Sequence, residues 1–458
     1  MLNHRKKSAD GAEAGTRTPK PLRAQAPEAC VFANFTTSAL GQDDEVLRKR
    51  APHYHRFSAS VNTRCRLGAP ALLTLALAGL MLVHGRAVAA EPPRTALHAF
   101  VALGDIEDYH VPNARYDLLI VSPGEPIGAA LARARSAYPG AMVLGYLNTM
   151  DMNELVPGAR DALRAHEEWF LHDATGQRVR VRIDRYKGER SRFGMNVGVA
   201  GYQDFLAVRA IDILKAGYDG VHLDNVETDS SYHVDRVGNW ISGMPVELAR
   251  EEWPAAEQSM LRRLRSRVSD AGLGSRPLII NHIRSAEPAV SRQYLAEVEG
   301  ANTEGWLSRD RPYDGPFGWK AAVDQAAEVA QSGKLLTLIC KTESVTTEES
   351  LYLFSSYLLA TDGKHLYFFH GSSYRPKATE WRDFYDIDIG SPAEAMRRIE
   401  GLYVRTFSRG MVAVNPFEAA AILRLPEGYR NLAGESVRSV SVGSRSGVIL
   451  THSEAPSR

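Results

Sequence analysis

The segment Gly220-Val221-His222-Leu223-Asp224 alternates apolar and polar side chains and ends on a carboxylate, with the amide Asn225 directly after it. Successive residues of a strand point to opposite faces, so His222 and Asp224 share one side while Val221 and Leu223 share the other. A second segment, Gly300-Ala301-Asn302-Thr303-Glu304, also ends on a carboxylate. Two carboxyl groups held at facing strand ends are equipped for glycoside hydrolysis. One protonates the leaving oxygen, and the other attacks the sugar or activates water. Asp224 and Glu304 are therefore the candidate catalytic pair, with Glu343 as the reserve acid. Tyr146, Asn148, Asn225, Asn281, Lys341 and Glu343 lie at or just past other strand-like ends and suit sugar hydroxyls. Trp306, two residues beyond Glu304, offers a ring to the apolar face of a sugar. His222, one layer beneath Asp224, is expected to support that carboxylate through a polar neighbour such as Asn281 or Glu304.

These residues need a scaffold that gathers strand ends. Eight β-like runs alternate with helical stretches: Leu97–Leu103, Tyr116–Ser122, Ala141–Leu147, Gly220–Asp224, Leu278–His282, Gly300–Glu304, Leu335–Lys341 and His365–Phe369. That rhythm predicts an α/β fold, a (β/α)8 TIM barrel, whose active site sits at the C-terminal ends of the strands. A doubly wound open sheet usually carries a glycine-rich phosphate turn after its first strand, and Leu103-Gly104-Asp105-Ile106 offers one glycine. Residues 203–216 read as a helix ended by Gly217, and residues 391–400 as a helix ended by Gly401. Val246–Ala271 reads as the fourth crossover or a lid. From Gly401 the texture changes to Leu402–Phe407, Met411–Val414, Ala420–Leu425, Val437–Val442 and Gly447–Thr451, with turns at Asn415-Pro416 and Pro426-Glu427-Gly428. This predicts a small C-terminal antiparallel β domain over 401–458, after a barrel over 91–400.

The chain has 458 residues and a formal charge of +1, but the charge is uneven. Residues 1–90 hold 13 Lys and Arg against 6 Asp and Glu, leaving 42 against 48 in the remainder. An acidic body argues against nucleic-acid binding and weakly favours a neutral or cationic polymer as partner. Residues 1–60 show no sustained apolar period and are expected to be a disordered extension or one translated from upstream of the true start. Within 61–90, Arg64 and Arg66 precede the apolar run 69–83 and the small-residue site Ala87-Val88-Ala89, the pattern of a signal peptide. The mature chain is expected to be exported, to the periplasm or beyond, without stable membrane insertion. Cys340 is then its only cysteine, so it has no internal disulfide.

The run Gly217-Tyr-Asp-Gly-Val-His-Leu-Asp-Asn225 resembles the strand-four signature of bacterial glycoside hydrolases, the hypothetical glycosyl hydrolase families related to the endo-α-1,4-polygalactosaminidases. Tyr202-Gln203-Asp204-Phe205, Tyr146-Leu147-Asn148 and Arg409–Pro416 fit the same resemblance, which covers most of 97–451. It implies a sugar-cleaving barrel with Asp224 as one catalytic carboxylate, and leaves the substrate, expected to be a polysaccharide or oligosaccharide, unspecified. The motif around Glu304 has no close match in it, so Glu304 stands on its strand position alone. No cofactor is expected. His222, Asp224, His282 and His370 could supply metal ligands, but no H-E-x-x-H motif is present. No G-x-S-x-G elbow or P-loop appears either. The competing reading is a secreted barrel that binds carbohydrate without turnover. N-terminal sequencing of exported material is expected to begin at Ala90 or Glu91. A mature chain beginning at Met1 would overturn the export reading.

Overall fold

The computed structural model describes residues 94–102, 108–124, 126–152, 160–179, 193–228, 245–248, 251–281, 283–343 and 345–452. The extension, the signal-like segment, His282 and Trp240 lie outside these residues. Eight strands, β1 (Leu97–Ala102), β2 (Leu118–Val121), β3 (Met142–Asn148), β4 (Gly220–Asp224), β5 (Leu278–Asn281), β6 (Gly300–Glu304), β7 (Leu335–Lys341) and β8 (Leu366–Gly371), follow the predicted runs to within a few residues. Each pairs in parallel with the next in chain order, and β8 pairs back to β1, closing a barrel.

Register decides what faces the barrel axis, because residues paired across parallel strands share a face. Tyr146 pairs with His222, Asn148 with Asp224, and Asn281 with Asn302. Followed around the ring, the inward set is Val101, Ile120 and Leu144 on one side, and His222, Asp224, Asn281, Asn302, Glu304 and Lys341 on the other. The outward set is mostly apolar and buried against the helices, as at Phe100, Leu119, Val143, Leu223, Ile280, Leu338 and Phe368, with His98, Thr303 and His370 as polar members. Polar inward side chains gather on β3 to β7, where Ile279 and Ile339 also face the axis.

The covering helices are α1 (Ala129–Ala137), α2 (Arg160–Ala165), α3 (Ala200–Lys215), α4 (Trp253–Asp270), α5 (Pro288–Glu297), α6 (Trp319–Gln331) and α7 (Thr347–Ala360). α3 begins three residues before its predicted start and ends as expected, with Gly217 at φ +101°. In α4, Trp253, Glu257, Met260, Leu261, Leu264 and Val268 form one buried stripe. α4 packs between α3 and α5, so it is the fourth crossover. At the start of α7, Thr346 accepts from the Glu349 amide, a side-chain N-cap.

The predicted helix over 391–400 is absent. Arg397–Ile399 is instead a strand, β9, antiparallel to β10 (Leu402–Phe407). Glu400 at φ +50° and Gly401 at φ +86° form the turn between them. Two consecutive left-handed residues suit a tight hairpin and forbid a continuing helix. With β11 (Gly410–Asn415), β12 (Ala421–Arg430), β13 (Ser436–Val442) and β14 (Ser446–His452), they build a six-stranded sheet in the order β9-β10-β11-β14-β12-β13. The expected turn at Pro426-Glu427-Gly428 is instead a register irregularity inside β12, between Arg424 and Tyr429.

This sheet lies on α7. Arg405 of β10 reaches the helix end and donates to the carbonyls of Leu358 (3.3 Å), Leu359 (2.9 Å) and Thr361 (2.6 Å). Those are orphan acceptors at a helix C-terminus, where a cation is favoured.

Glycine tests the packing. A Cβ on Gly300 would lie 2.3 Å from the Leu335 carbonyl oxygen on the next strand, whereas one on Gly140 would meet nothing within 4 Å. Gly300→Ala is expected to destabilise the fold by about 1–3 kcal/mol through overpacking. Gly140→Ala is expected to be neutral or to stabilise by up to about 1 kcal/mol. Denaturant unfolding of the two variants checks the contrast.

Candidate active site

The strand-four signature divides into parts with different tasks. Gly217 ends α3. Asp219 lies at the far end of the strand from Asp224, where it accepts from the Val143 amide (2.8 Å) and from Arg135 (3.0 and 3.1 Å). It ties β3, β4 and α1 together. Gly220 leaves no room for a side chain, since a Cβ there would meet the Pro277 carbonyl oxygen at 2.6 Å. Only then come His222 and Asp224, both turned inward.

Asp224 is 3% exposed. One of its oxygens accepts from the Tyr146 hydroxyl at 2.5 Å, and the other from the Asn281 amide. Its backbone carbonyl accepts from Thr149, through both the amide (3.1 Å) and the hydroxyl (2.8 Å). Tyr202, on the first turn of α3, donates to the Thr149 carbonyl at 2.9 Å and so pins that loop from behind. Asn225 follows at φ +62°, a left-handed conformation that Asn tolerates better than most residues. Beyond it, the Glu227 carboxylate pairs with Arg284 (3.0 Å), and the Glu227 carbonyl accepts from Tyr294 (3.0 Å).

A line of polar side chains runs down from Asp224. Asn281 accepts from the Asn302 amide at 2.8 Å, and His222 lies 2.8 Å from the Asn302 carbonyl oxygen. The Tyr146 ring stacks over the His222 ring, centroid to centroid 6.0 Å. His222 is thus beneath Asp224 as expected, but its hydrogen-bond partner is Asn302. Burial lowers the His222 pKa, against the upward pull of Asp224 and of the Asn302 bond.

Glu304 is inward-facing on β6, two strands from Asp224. Burial raises its pKa. Lys341 pulls it down, Asp224 pushes it up, and Tyr374 and Asn281 favour the ionised form. Lys341 lies over the Tyr374 ring, 4.7 Å from its centroid. Tyr146, His222, Asp224, Asn281, Glu304 and Lys341 therefore form one polar group at the C-terminal mouth of the barrel.

Other expected site residues fall elsewhere. Trp306 is 2% exposed and donates its indole N–H to the Ala322 carbonyl at 3.1 Å. It is a packing residue between β6 and α6, with no ring face left for a sugar, so the expected stacking role is withdrawn. Asn148 is in register with Asp224, but its side-chain oxygen accepts from the amides of Met150 (3.0 Å) and Asp151 (3.1 Å), and so organises the loop after β3. Glu343 is exposed, two residues beyond the end of β7. Asn302 and Tyr374 were not foreseen. The period-two rule puts Asn302 in the layer of His222, and Tyr374 sits three residues past the end of β8, on a mouth loop. Among the described residues, no three His, Cys, Asp or Glu form a group that could hold a metal ion, and no helix is long and apolar enough to cross a membrane.

Residues 137–411 match the model of hypothetical glycosyl hydrolase family 15. None of the curated proteins matches the chain. Similar solved structures include Aspergillus fumigatus Ega3 in complex with galactosamine, 15% identical over 63% of this chain and 95% of that chain, with a TM-score of 0.38. Another is the glycoside hydrolase domain of PelA from Pseudomonas aeruginosa, 14% identical over 61% and 96%, with a TM-score of 0.39. A third is Bacillus licheniformis trehalose-6-phosphate hydrolase, 8% identical over 78% and 99%, with a TM-score of 0.43.

The raised pKa of Glu304 carries a stability consequence. A carboxyl group with a folded pKa above its unfolded value stabilises the fold fully at low pH and loses that contribution as pH rises through the folded value. Glu304→Gln removes the titration. Its melting temperature relative to wild type is expected to be higher at pH 8 than at pH 4. Thermal unfolding at the two pH values checks the sign.

Proposed function

The chain belongs to hypothetical glycosyl hydrolase family 15, and we propose that it hydrolyses a glycosidic bond in a polysaccharide, with Asp224 and Glu304 as the reacting carboxyl groups. The family supports the reaction class. The observation that carries the residue roles is the contrast between two carboxyl groups on one inward face. Asp224 has both oxygens occupied by donors, whereas burial pushes the Glu304 pKa up. Pairs of titratable groups whose environments differ in this way divide into an acid and a base.

In this reading Glu304 holds the proton and gives it to the departing glycosidic oxygen. Asp224 attacks the anomeric carbon, or takes a proton from the water that does. Tyr146 and Asn281 fix the Asp224 oxygens while leaving its outer lone pairs for the reaction. Lys341 and Tyr374 line the mouth beside Glu304 and suit sugar hydroxyls. The excess of acidic residues after residue 90 favours a neutral or amino-bearing polymer over a uronate one. The signal-like segment supports export of the mature chain.

The test is a panel of polysaccharides, with amino-sugar polymers first, assayed for reducing ends. Asp224→Asn and Glu304→Gln are each expected to lower kcat by at least about a hundredfold, the lower end of what general acid–base catalysis contributes. Because Glu304 must be protonated, activity is expected to fall as pH rises through its raised pKa. That alkaline limb should vanish in the residual activity of Glu304→Gln. The anomer formed first, followed by NMR, distinguishes attack by Asp224 (retention) from attack by water (inversion). Binding without hydrolysis across the panel would refute the proposal.

A further inference from the structure

The polar line beneath Asp224 has a direction. An ionised carboxylate only accepts hydrogen bonds, so Asn281 must present its NH2 group to Asp224. Its carbonyl oxygen then faces Asn302, which must present its own NH2 group to it. The Asn302 carbonyl oxygen is left facing His222 Nε2 at 2.8 Å, and a carbonyl can only accept. His222 is therefore the donor, with its proton on Nε2. Its other ring nitrogen, Nδ1, is buried and has no hydrogen-bond partner among the described residues, which suits a bare lone pair better than an N–H. Each orientation follows from the one before it, and the first is set by the charge on Asp224.

We infer that Asn281 and Asn302 form a directed relay, through which ionised Asp224 fixes His222 as the neutral Nε2–H tautomer and His222 in return holds the Asp224 carboxylate in its reactive position. The inference rests on the proposed reaction for Asp224. It adds two positioning residues, His222 and Asn302, neither of which touches substrate. The geometry closes on itself: Tyr146 donates to the second oxygen of Asp224 while its ring stacks on His222. Both oxygens of one carboxylate are thus referred to a single imidazole, one by the amide line and one by the ring stack.

The full chain, labelled with 15N at histidine, reports the tautomer directly, and the His222 signals are those lost in His222→Gln. The expected result at neutral pH is a protonated Nε2 and a bare Nδ1. Asn302→Leu cuts the line and is expected to abolish that tautomer preference. Its kcat is expected to fall about ten- to a hundredfold, the scale of a small misplacement of a reacting group, with KM changed by less than about threefold. His222→Gln keeps an N–H donor and is expected to retain more activity than His222→Phe. A wild-type His222 protonated at Nδ1, or an Asn302→Leu protein that folds and keeps both the tautomer and kcat, would overturn the relay. If no polysaccharide is cleaved by the wild type, the reaction assignment fails, while the tautomer comparison of wild type and Asn302→Leu still decides the relay.

Discussion

A carboxylate almost withdrawn from water must find its solvation in the protein, and in this barrel most of the local architecture answers to that need at Asp224. An isolated buried charge is expensive, and hydrogen-bond donors replace the lost hydration. Tyr146 from β3 and Asn281 from β5 supply them from either side. Each donor then needs its own orientation fixed, which draws in Asn302 and His222 one layer down. The backbone at the same point is secured separately, by Thr149 in the loop after β3 and by Tyr202 behind it. Asn225 follows directly in the left-handed region, at φ +62°. The polar cluster on this side of the barrel interior, set among inward Ile279 and Ile339, answers to this one group.

The barrel was legible because its signals are local. Outward residues such as Leu223, Ile280 and Leu338 are apolar, inward residues such as His222, Asp224, Asn281, Asn302 and Glu304 are polar, and period two separates them without knowledge of the fold. The same rule located Asp224, His222 and Glu304. Trp306 was misjudged because closeness in sequence to Glu304 says nothing about direction. One residue beyond Gly305, at φ +61°, the chain has already turned away towards α6. Tyr374 was missed for the converse reason, since it reaches the mouth only through the fold of the β8 loop. Segment 391–400 has a good helical composition, but two left-handed residues at Glu400 and Gly401 and the ladder to Leu402–Val404 override that propensity. Pairing with a distant strand is the kind of term that a local pattern omits.

The two carboxyl groups proposed to react share one environment. Both are buried, both face the axis, and the Asn281 amide acts on both. The difference lies in what else is near. Each has a tyrosine hydroxyl beside it, Tyr146 at Asp224 and Tyr374 at Glu304, but at Glu304 loss of water is the strongest influence and is only partly offset by Lys341. Nearness of Asp224 itself adds to the upward push. In the proposed reaction, then, the carboxylate of one residue helps to raise the pKa of the other, which couples the two more tightly than strand order alone would require.

The seat of the C-terminal sheet on α7 bears on how the chain acquires its structure during synthesis. Helix α7 is buried along most of its length, from Tyr352 to Ala360 without a break, and its carbonyl end is closed by Arg405. At Gly447, β14 presses so closely on it that a Cβ would lie 2.5 Å from Ser355. A ribosome that has released the eight barrel strands has therefore not yet released the cover of α7. That cover includes β14, the last strand of the sheet. A chain ending before residue 446 therefore lacks β14 and leaves the face of α7 around Ser355 without its cover.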